Sequence, residues 1–529
     1  MANNTGRHRQ QFLTQTRWFT MQKNVVEYLE HGSLLNFPDK IAITDNETEF
    51  TFSQLHDLSD RLATYIASIS QEIRRPIAVF LPKTALTVIA DLAIVKSANF
   101  YTNLDEKSPS ERLAKLLNNI SPLLIFTNRV LMPALIAVGI AESQIICLDD
   151  IDIASLHKAD EALLTRREST IDTDPLCLIN TSGSTGVPKS VILNHRSTID
   201  FIDWCVENFD FDASDSFGSL SPLYFDIYTL EIYVALRTGA TVHLIPEQTA
   251  AFPAQLVEFL NERLITFIFW VPTIMVNIAN LGLLSKFDLS HIRRIFFAGE
   301  VFPTKHLNMW RRSLPTTQFV NLYGPIEITV DCTFFIFDRD FEDDAPIPIG
   351  YPCTNSDVFI LGEENQLVAP GQIGELCVRG SSLAMGYYNN PEQTAKAFVQ
   401  NPLNRAYPEI IYRTGDLVHI NEFGEIMFDG RKDFQIKHLG YRIELAEIET
   451  AVQALSEIRN ACVLYDKEKK NIVLVFETSA EITSKQLRIS LQSRLPKYML
   501  PTVFIEVGEM PRNPNGKIDR QALSVQYAS

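Results

Sequence analysis

Up to about residue 330, short apolar runs alternate with longer stretches of helical periodicity. The runs "PIAVFL" (76–81), "LLIFTN" (123–128), "QIICLD" (144–149), "TVHLIP" (241–246) and "RIFFAG" (294–299) read as strands, and residues 60–69 and 86–97 read as helices. Continuously apolar strands set between helices predict parallel sheets covered on both faces. From about 345 to 430 the texture changes. "DVFILGEENQLVAPGQIGELCVRG" reads as strand, turn, strand with Gly and Pro punctuation, which predicts antiparallel β-structure. After 430 come an amphipathic helix ("IELAEIETAVQAL"), two strands ("NACVLYD", "NIVLVFE") and another helix ("SKQLRISLQSRL"). The expectation is an α/β multidomain chain. A large unit spans 1–430, with a β-rich part at about 345–430, and a small α+β unit spans 431–529. The most apolar long run, 264–284, is broken by Pro272, Asn277 and Asn280. It reads as a buried strand followed by a helix begun at Pro272 rather than as a membrane span.

Composition narrows the function classes. The 529 residues carry a formal net charge of −17, which argues against sequence-independent binding to nucleic acid or anionic membrane. The seven cysteines are odd in number and form no C-x-x-C pair. A disulfide framework or a structural zinc is not expected, and a reducing cytoplasm fits. The first residues lack an apolar h-region, so no signal peptide is expected.

One stretch carries chemistry. "CLINTSGSTGVPKSVILNH" (177–195) places Ser, Thr, Gly, one Pro and one Lys between two strand-like runs. Such a segment can be a plain hairpin loop. Its row of hydroxyls, its unencumbered backbone N–H groups and Lys189 also suit a polyphosphate. It is not a Walker loop. Pro188 separates Gly186 and Val187 from Lys189, and the residues that follow read as a strand rather than a helix.

Further motifs follow in order: "NLYGPIEIT" (321–329), "YRTGDL" (412–417), "GRKDFQIKHLGYRIELAEIE" (430–449) and "NPNGKIDR" (513–520). Together with T-S-G-S-T-G-x-P-K they resemble the signatures of the ANL superfamily, which comprises acyl-CoA synthetases, luciferases and the adenylation domains of non-ribosomal peptide synthetases. The form of the 430–449 element and "YFDIYTLEIY" (224–233) resemble the peptide-synthetase branch.

That resemblance implies two half-reactions: a carboxylate attacks ATP to give an acyl-AMP and pyrophosphate, then a thiol displaces AMP. It implies that Thr181, Ser182, Gly183, Ser184, Thr185, Gly186 and Lys189 hold the phosphates and that Glu327 ligates Mg²⁺. Tyr323, flanked by Gly324, stacks on adenine, and Asn321 meets its amino edge. Gly299 and Glu300 lie beside the nucleotide, Asp416 takes the ribose, and Arg431 reaches the ribose or phosphate. Lys517 bridges the substrate carboxylate and the α-phosphate, so Lys517, Glu327 and Lys189 are the catalytic set. Asp433 is the hinge about which the C-terminal unit rotates. That rotation withdraws Lys517 and brings in the face bearing Lys437, Gly440 and Tyr441.

The same resemblance makes Asp226, beside Phe225, the partner of a substrate α-ammonium, which implies an amino acid. An Asp there could also be a helix N-cap. The pocket wall becomes Ile227, Leu230, Phe269, Phe296, Ala298, Leu322, Val330 and Asp331. It is bulky and apolar, and it resembles stand-alone enzymes that load L-proline onto a carrier protein. Asp331 does not fit easily. A carboxylate on an apolar wall is costly unless it is paired or protonated, so serine or another small amino acid stays open. Ile326 stands where the motif has Thr, and weaker nucleotide affinity is expected. No carrier, condensation or thioesterase motif is visible, so the phosphopantetheine thiol is expected on a separate carrier protein. A CoA ligase and a catalytically silent binding relative are the competing readings.

Overall fold

The computed structural model describes residues 22–183, 188–478, 482–512 and 518–528. Two largely parallel sheets form the body of the N-terminal unit. The first has seven strands. Phe100–Asn103, Pro76–Phe80, Ile125–Thr127 and the edge strand Ile145–Cys147 run parallel. At one side β1 (Pro175–Thr181) pairs antiparallel with β2 (Lys189–Asn194). The strands flanking the Ser/Gly-rich segment are therefore hydrogen-bonded to each other, with Thr181 opposite Lys189.

The second sheet has nine strands. Its centre holds β3 (Phe267–Trp270), β4 (Arg294–Phe297) and β5 (Gln318–Tyr323), parallel and in register, with Phe269 beside Phe296 and Phe297 beside Asn321. β6 (Thr333–Ile336) returns antiparallel to β5. Helix α1 (Ile227–Thr238) packs into the core that also takes β3, β4 and β5. Every residue of β3 and β4 is buried, so the absence of polar alternation in these runs reflects cover on both faces. The apolar run 264–284 resolves as β3 and then a helix, Pro272–Asn280, with proline at its first position. Among the described residues no helix is long and apolar enough to cross a membrane.

A five-stranded antiparallel sheet follows, from Ser356–Leu361 to β7 (Ile410–Ile420) and β8 (Ile426–Arg431). Beyond it, β9 (Gln435–His438) and β10 (Tyr441–Glu444) form a hairpin that runs straight into α2 (Leu445–Gln453). A three-stranded sheet (Ile458–Asp466, Asn471–Thr478, Val503–Glu506) completes the C-terminal unit around its own core. The expected α/β multidomain architecture is what the chain adopts. All seven cysteines are buried free thiols.

Candidate active site

The hairpin β9–β10 and the start of α2 lie against the N-terminal unit at the Ser/Gly-rich segment. The Ser182 hydroxyl donates to the Arg442 carbonyl at 2.7 Å and accepts from the Glu444 N–H at 3.0 Å. The Gly183 N–H donates to Glu447 Oε2 at 3.0 Å, and the other oxygen of Glu447 pairs with Arg112. The Lys189 ammonium is 3.3 Å from Glu444 Oε1. Ser184, Thr185, Gly186 and Lys517 lie outside the described residues. The residues flanking 513–517 pack within the C-terminal unit. Met510 and Ile518 join a cluster with Val473, Val475 and Leu523.

Glu327 is the most enclosed carboxylate of the site. It is 0 % exposed, in a short turn after β5. Arg442 donates to its Oε2 at 2.6 Å and the Tyr387 hydroxyl to its Oε1 at 2.7 Å. Burial opposes ionisation here, but the Arg442 guanidinium outweighs it and the carboxyl is pulled down to about 2. A buried, ionised oxygen donor is of the kind a hard divalent cation takes, and in this arrangement its two oxygens are met by Arg442 and Tyr387 instead. Among the described residues another acidic group, Glu30 with His56 and Asp60, is likewise met by cations: Asp60 accepts Lys96 at 2.6 Å and pairs with Arg167.

Tyr323 ends β5 and is buried, with its hydroxyl donating to Asp416 Oδ2. Arg431 donates to Asp416 Oδ1 at 2.6 Å and grips Asp433 through two nitrogens, both at 2.7 Å. Tyr323, Asp416, Arg431 and Asp433 thus form one chain of contacts from β5 through β7 to the end of β8. Asn321 donates to the Pro348 carbonyl at 2.7 Å, which fixes its amide. The turn after Tyr323 is tight, since a Cβ on Gly324 would lie 2.4 Å from the Asp331 Cα. Thr329 and Val330 sit at φ +58° and +65°, a strained backbone for β-branched residues. The Thr329 hydroxyl donates to the Ser382 carbonyl at 2.9 Å, so it does not stand in for the hydroxyl that Ile326 lacks. Glu300 accepts the Gly440 N–H at 2.9 Å, just beyond Gly299 at the end of β4.

The expected pocket residues come together. Leu230, Phe269, Phe296, Ala298, Leu322 and Val330 share one buried cluster, with Ile227 packed against it. Phe225 meets the Tyr441 ring at 5.3 Å from the C-terminal unit. Asp226 is half-buried and caps α1, its Oδ1 accepting the Ile227 N–H at 3.1 Å. The N-cap reading is therefore realised without excluding a second role. Desolvation raises its carboxyl to about 6; Lys437 opposes this shift and Glu327 adds to it. Asp331 is 2 % exposed and its Oδ2 has no hydrogen-bond partner. Burial, reinforced by Asp226, raises its pKa well above the usual carboxylate range. The Lys437 ammonium stands 5.9 Å from the Tyr323 ring centroid, and desolvation lowers its pKa.

A pH dependence follows. A carboxyl raised to about 6 is protonated below that pH and cannot pair with an ammonium. If it binds the substrate amine, kcat/KM for the amino acid rises about tenfold per pH unit up to about pH 6 and then levels. Asp226→Asn is expected to give a flat, low profile in pyrophosphate exchange.

Sequence reasoning missed Arg442, Glu444 and Glu447. Their spacing, alternate positions on a strand and then the first turn of a helix, was the available signal. Nothing local shows that they reach Glu327, Lys189 and Gly183.

The AMP-binding enzyme family matches residues 32–388. An L-proline–[L-prolyl-carrier protein] ligase of Pseudomonas fluorescens is 30% identical over 500 residues, 93% of this chain and 97% of the relative. Tyrocidine synthase 1 of Brevibacillus parabrevis is 30% identical over 92% of this chain, and the chain spans only 44% of its length. Among solved structures, a peptide-synthetase protein containing adenylation and carrier domains, bound to a vinylsulfonamide inhibitor, superposes with a TM-score of 0.82. It is 25% identical, with 95% of this chain and 84% of that one covered. The chain therefore belongs to the AMP-binding enzymes of the adenylate-forming ANL superfamily.

Proposed function

We propose that this chain activates a small amino acid with ATP as its aminoacyl-AMP and transfers the acyl group to the phosphopantetheine thiol of a separate carrier protein in the cytoplasm. The observation that carries the amino-acid reading is Asp226. It is a carboxylate at the head of α1, beside a buried apolar cluster, and an α-ammonium is the group that would repay its desolvation. In the first step the substrate carboxylate attacks the α-phosphorus and pyrophosphate leaves. Charge accumulates on phosphate oxygens, so fixed cations and N–H donors are the effective tools. Lys189, the Gly183 N–H and the hydroxyls of 181–185 serve the phosphates. Lys517 would bridge the two anions that must approach, where a positive charge is worth most. Glu327 would hold Mg²⁺, which would supply charge neutralisation on the leaving phosphates. Tyr323, Asn321, Asp416 and Arg431 orient the nucleoside.

In the second step a thiolate attacks the acyl carbon and AMP leaves. The contacts of Gly440, Tyr441 and Lys437 with Glu300, Phe225 and Tyr323 support assigning the present arrangement to this step.

Proline is the first substrate of the proposal, supported by the apolar wall and by the proline-loading relative. Serine is the second reading, favoured by the buried Asp331 Oδ2, which has no hydrogen-bond partner and which a side-chain hydroxyl would satisfy. Amino-acid-dependent ATP–pyrophosphate exchange across the twenty amino acids decides. Exchange with proline alone supports the first reading, and exchange with serine the second. Exchange only with carboxylic acids lacking an amine would overturn the amino-acid reading, and CoA thioester formation would overturn the carrier-loading assignment.

A further inference from the structure

The segment Arg442–Glu447 makes three contacts of one kind. Arg442 puts a cation on Glu327 at 2.6 Å. Glu444 puts an anion on Lys189 at 3.3 Å. Glu447 puts an anion on the Gly183 N–H at 3.0 Å. These are the groups that the proposed reaction gives to the metal and to the leaving phosphates, and each is met by a side chain of matching sign. The fit is close on all sides. The side chains of Glu327, Glu447 and Arg112 are 0 %, 4 % and 8 % exposed, and the Ser182 hydroxyl bonds the backbone on both sides of Ile443.

We propose that Arg442, Glu444 and Glu447 are positioning residues that act as a built-in stand-in for magnesium pyrophosphate. They hold the C-terminal unit in its thiol-transfer arrangement only after pyrophosphate has left. The inference rests on the assignment of Gly183, Lys189 and Glu327 to Mg²⁺-polyphosphate and goes beyond it. At hydrogen-bond distance no phosphate oxygen fits between Gly183 and Glu447, and no cation fits between Glu327 and Arg442. Occupancy by magnesium pyrophosphate and this docking are therefore mutually exclusive. The adenosine side, Tyr323 and Asp416, is left free of the segment, so an adenylate is compatible with it. The order of the two half-reactions is thus enforced by competition for the same donors and the same carboxylate. When the metal departs, Arg442 also spares Glu327 from being a buried, unpaired charge.

The consequence is measurable on the whole chain without turnover. A site whose competent state is only partly populated binds with its affinity reduced by that fraction. Glu444→Gln keeps the shape of the side chain and removes its charge. It is expected to tighten magnesium pyrophosphate binding, read by calorimetry, by roughly tenfold. It should also slow thiol transfer from preformed adenylate. The arrangement itself is read between labels on Val130→Cys and Val525→Cys. These positions are 83% and 84% exposed, and the native thiols are all buried. Magnesium pyrophosphate should shift the inter-label distance distribution, and Glu444→Gln should shift it the same way without ligand. Binding that leaves the distances unchanged, with equal affinity in the variant, overturns the stand-in role and leaves the adenylating function intact. No binding of magnesium pyrophosphate at millimolar concentration overturns the phosphate-site assignment, and the inference falls with it.

Discussion

Asp226→Ala is expected to lower kcat/KM for the amino acid in ATP–pyrophosphate exchange by about 10³-fold, with KM for ATP nearly unchanged. The size follows from where the charge sits. Desolvation already raises the Asp226 carboxyl to about 6, so the free site bears a cost that a bound ammonium removes. Truncating one member of a desolvated charge pair typically costs about 2–5 kcal/mol, and about 4 kcal/mol corresponds to roughly a thousandfold in rate. Loss of the α1 cap is a separate effect, because Oδ1 accepts the Ile227 N–H at 3.1 Å. A lost N-cap costs about 1 kcal/mol of stability and is read as a fall in Tm. Asp226→Asn separates the two. It keeps a capping oxygen and loses the charge, so its Tm should stay near that of the parent while its exchange activity falls with that of the alanine variant. If Asn restores activity, the residue serves the helix alone, and the ammonium must be met elsewhere, with Asp331 the nearest candidate.

How much of this was legible beforehand depends on the range over which the information acts. The run 264–284 was readable because Pro272 cuts it, and a proline without an N–H can begin a helix but not continue a central strand. The strands around Thr181–Lys189 were readable because apolar runs met a stretch of Ser and Gly. Asp331 could be flagged from its type alone, since a carboxylate among Leu and Val contradicts its neighbours. Its burial required the left-handed turn at Thr329 and Val330, which β-branched residues do not announce. The partners of Arg442, Glu444 and Glu447 were not readable. Each of these three residues reads as an ordinary surface charge on an amphipathic strand and helix. Their partners lie 115, 255 and 264 residues away, and periodicity carries nothing about how two separately folded units dock. The motif resemblance gave Tyr323 and Asp416 separate roles, and their contact across 93 residues, which joins β5 to the antiparallel sheet, was not read from it.

Gly440→Ala is expected to separate the two half-reactions. Thioester formation should fall about a hundredfold, while amino-acid-dependent pyrophosphate exchange stays within about threefold of the parent. Gly440 has φ +83°, and a Cβ there would lie 2.9 Å from Cγ1 and 3.3 Å from Cγ2 of Val271. Two costs add. The left-handed backbone disfavours any side chain by about 1–2 kcal/mol, and overpacking a close contact costs about 1–3 kcal/mol. The second cost exists only while the β9–β10 hairpin lies on the end of β3, where the Gly440 N–H also donates to Glu300 at 2.9 Å. An arrangement in which the hairpin has moved away carries no such contact, so the first half-reaction is spared. Val271→Ala in the same chain tests the cause, because it removes both methyl groups that the new Cβ would meet. Transfer measured from preformed adenylate should then recover by at least tenfold, leaving the backbone cost behind. If the second substitution restores nothing, the loss stems from the left-handed turn itself. If exchange and transfer fall together in Gly440→Ala, the hairpin holds the same place in both steps, and the assignment of this arrangement to thiol transfer alone fails.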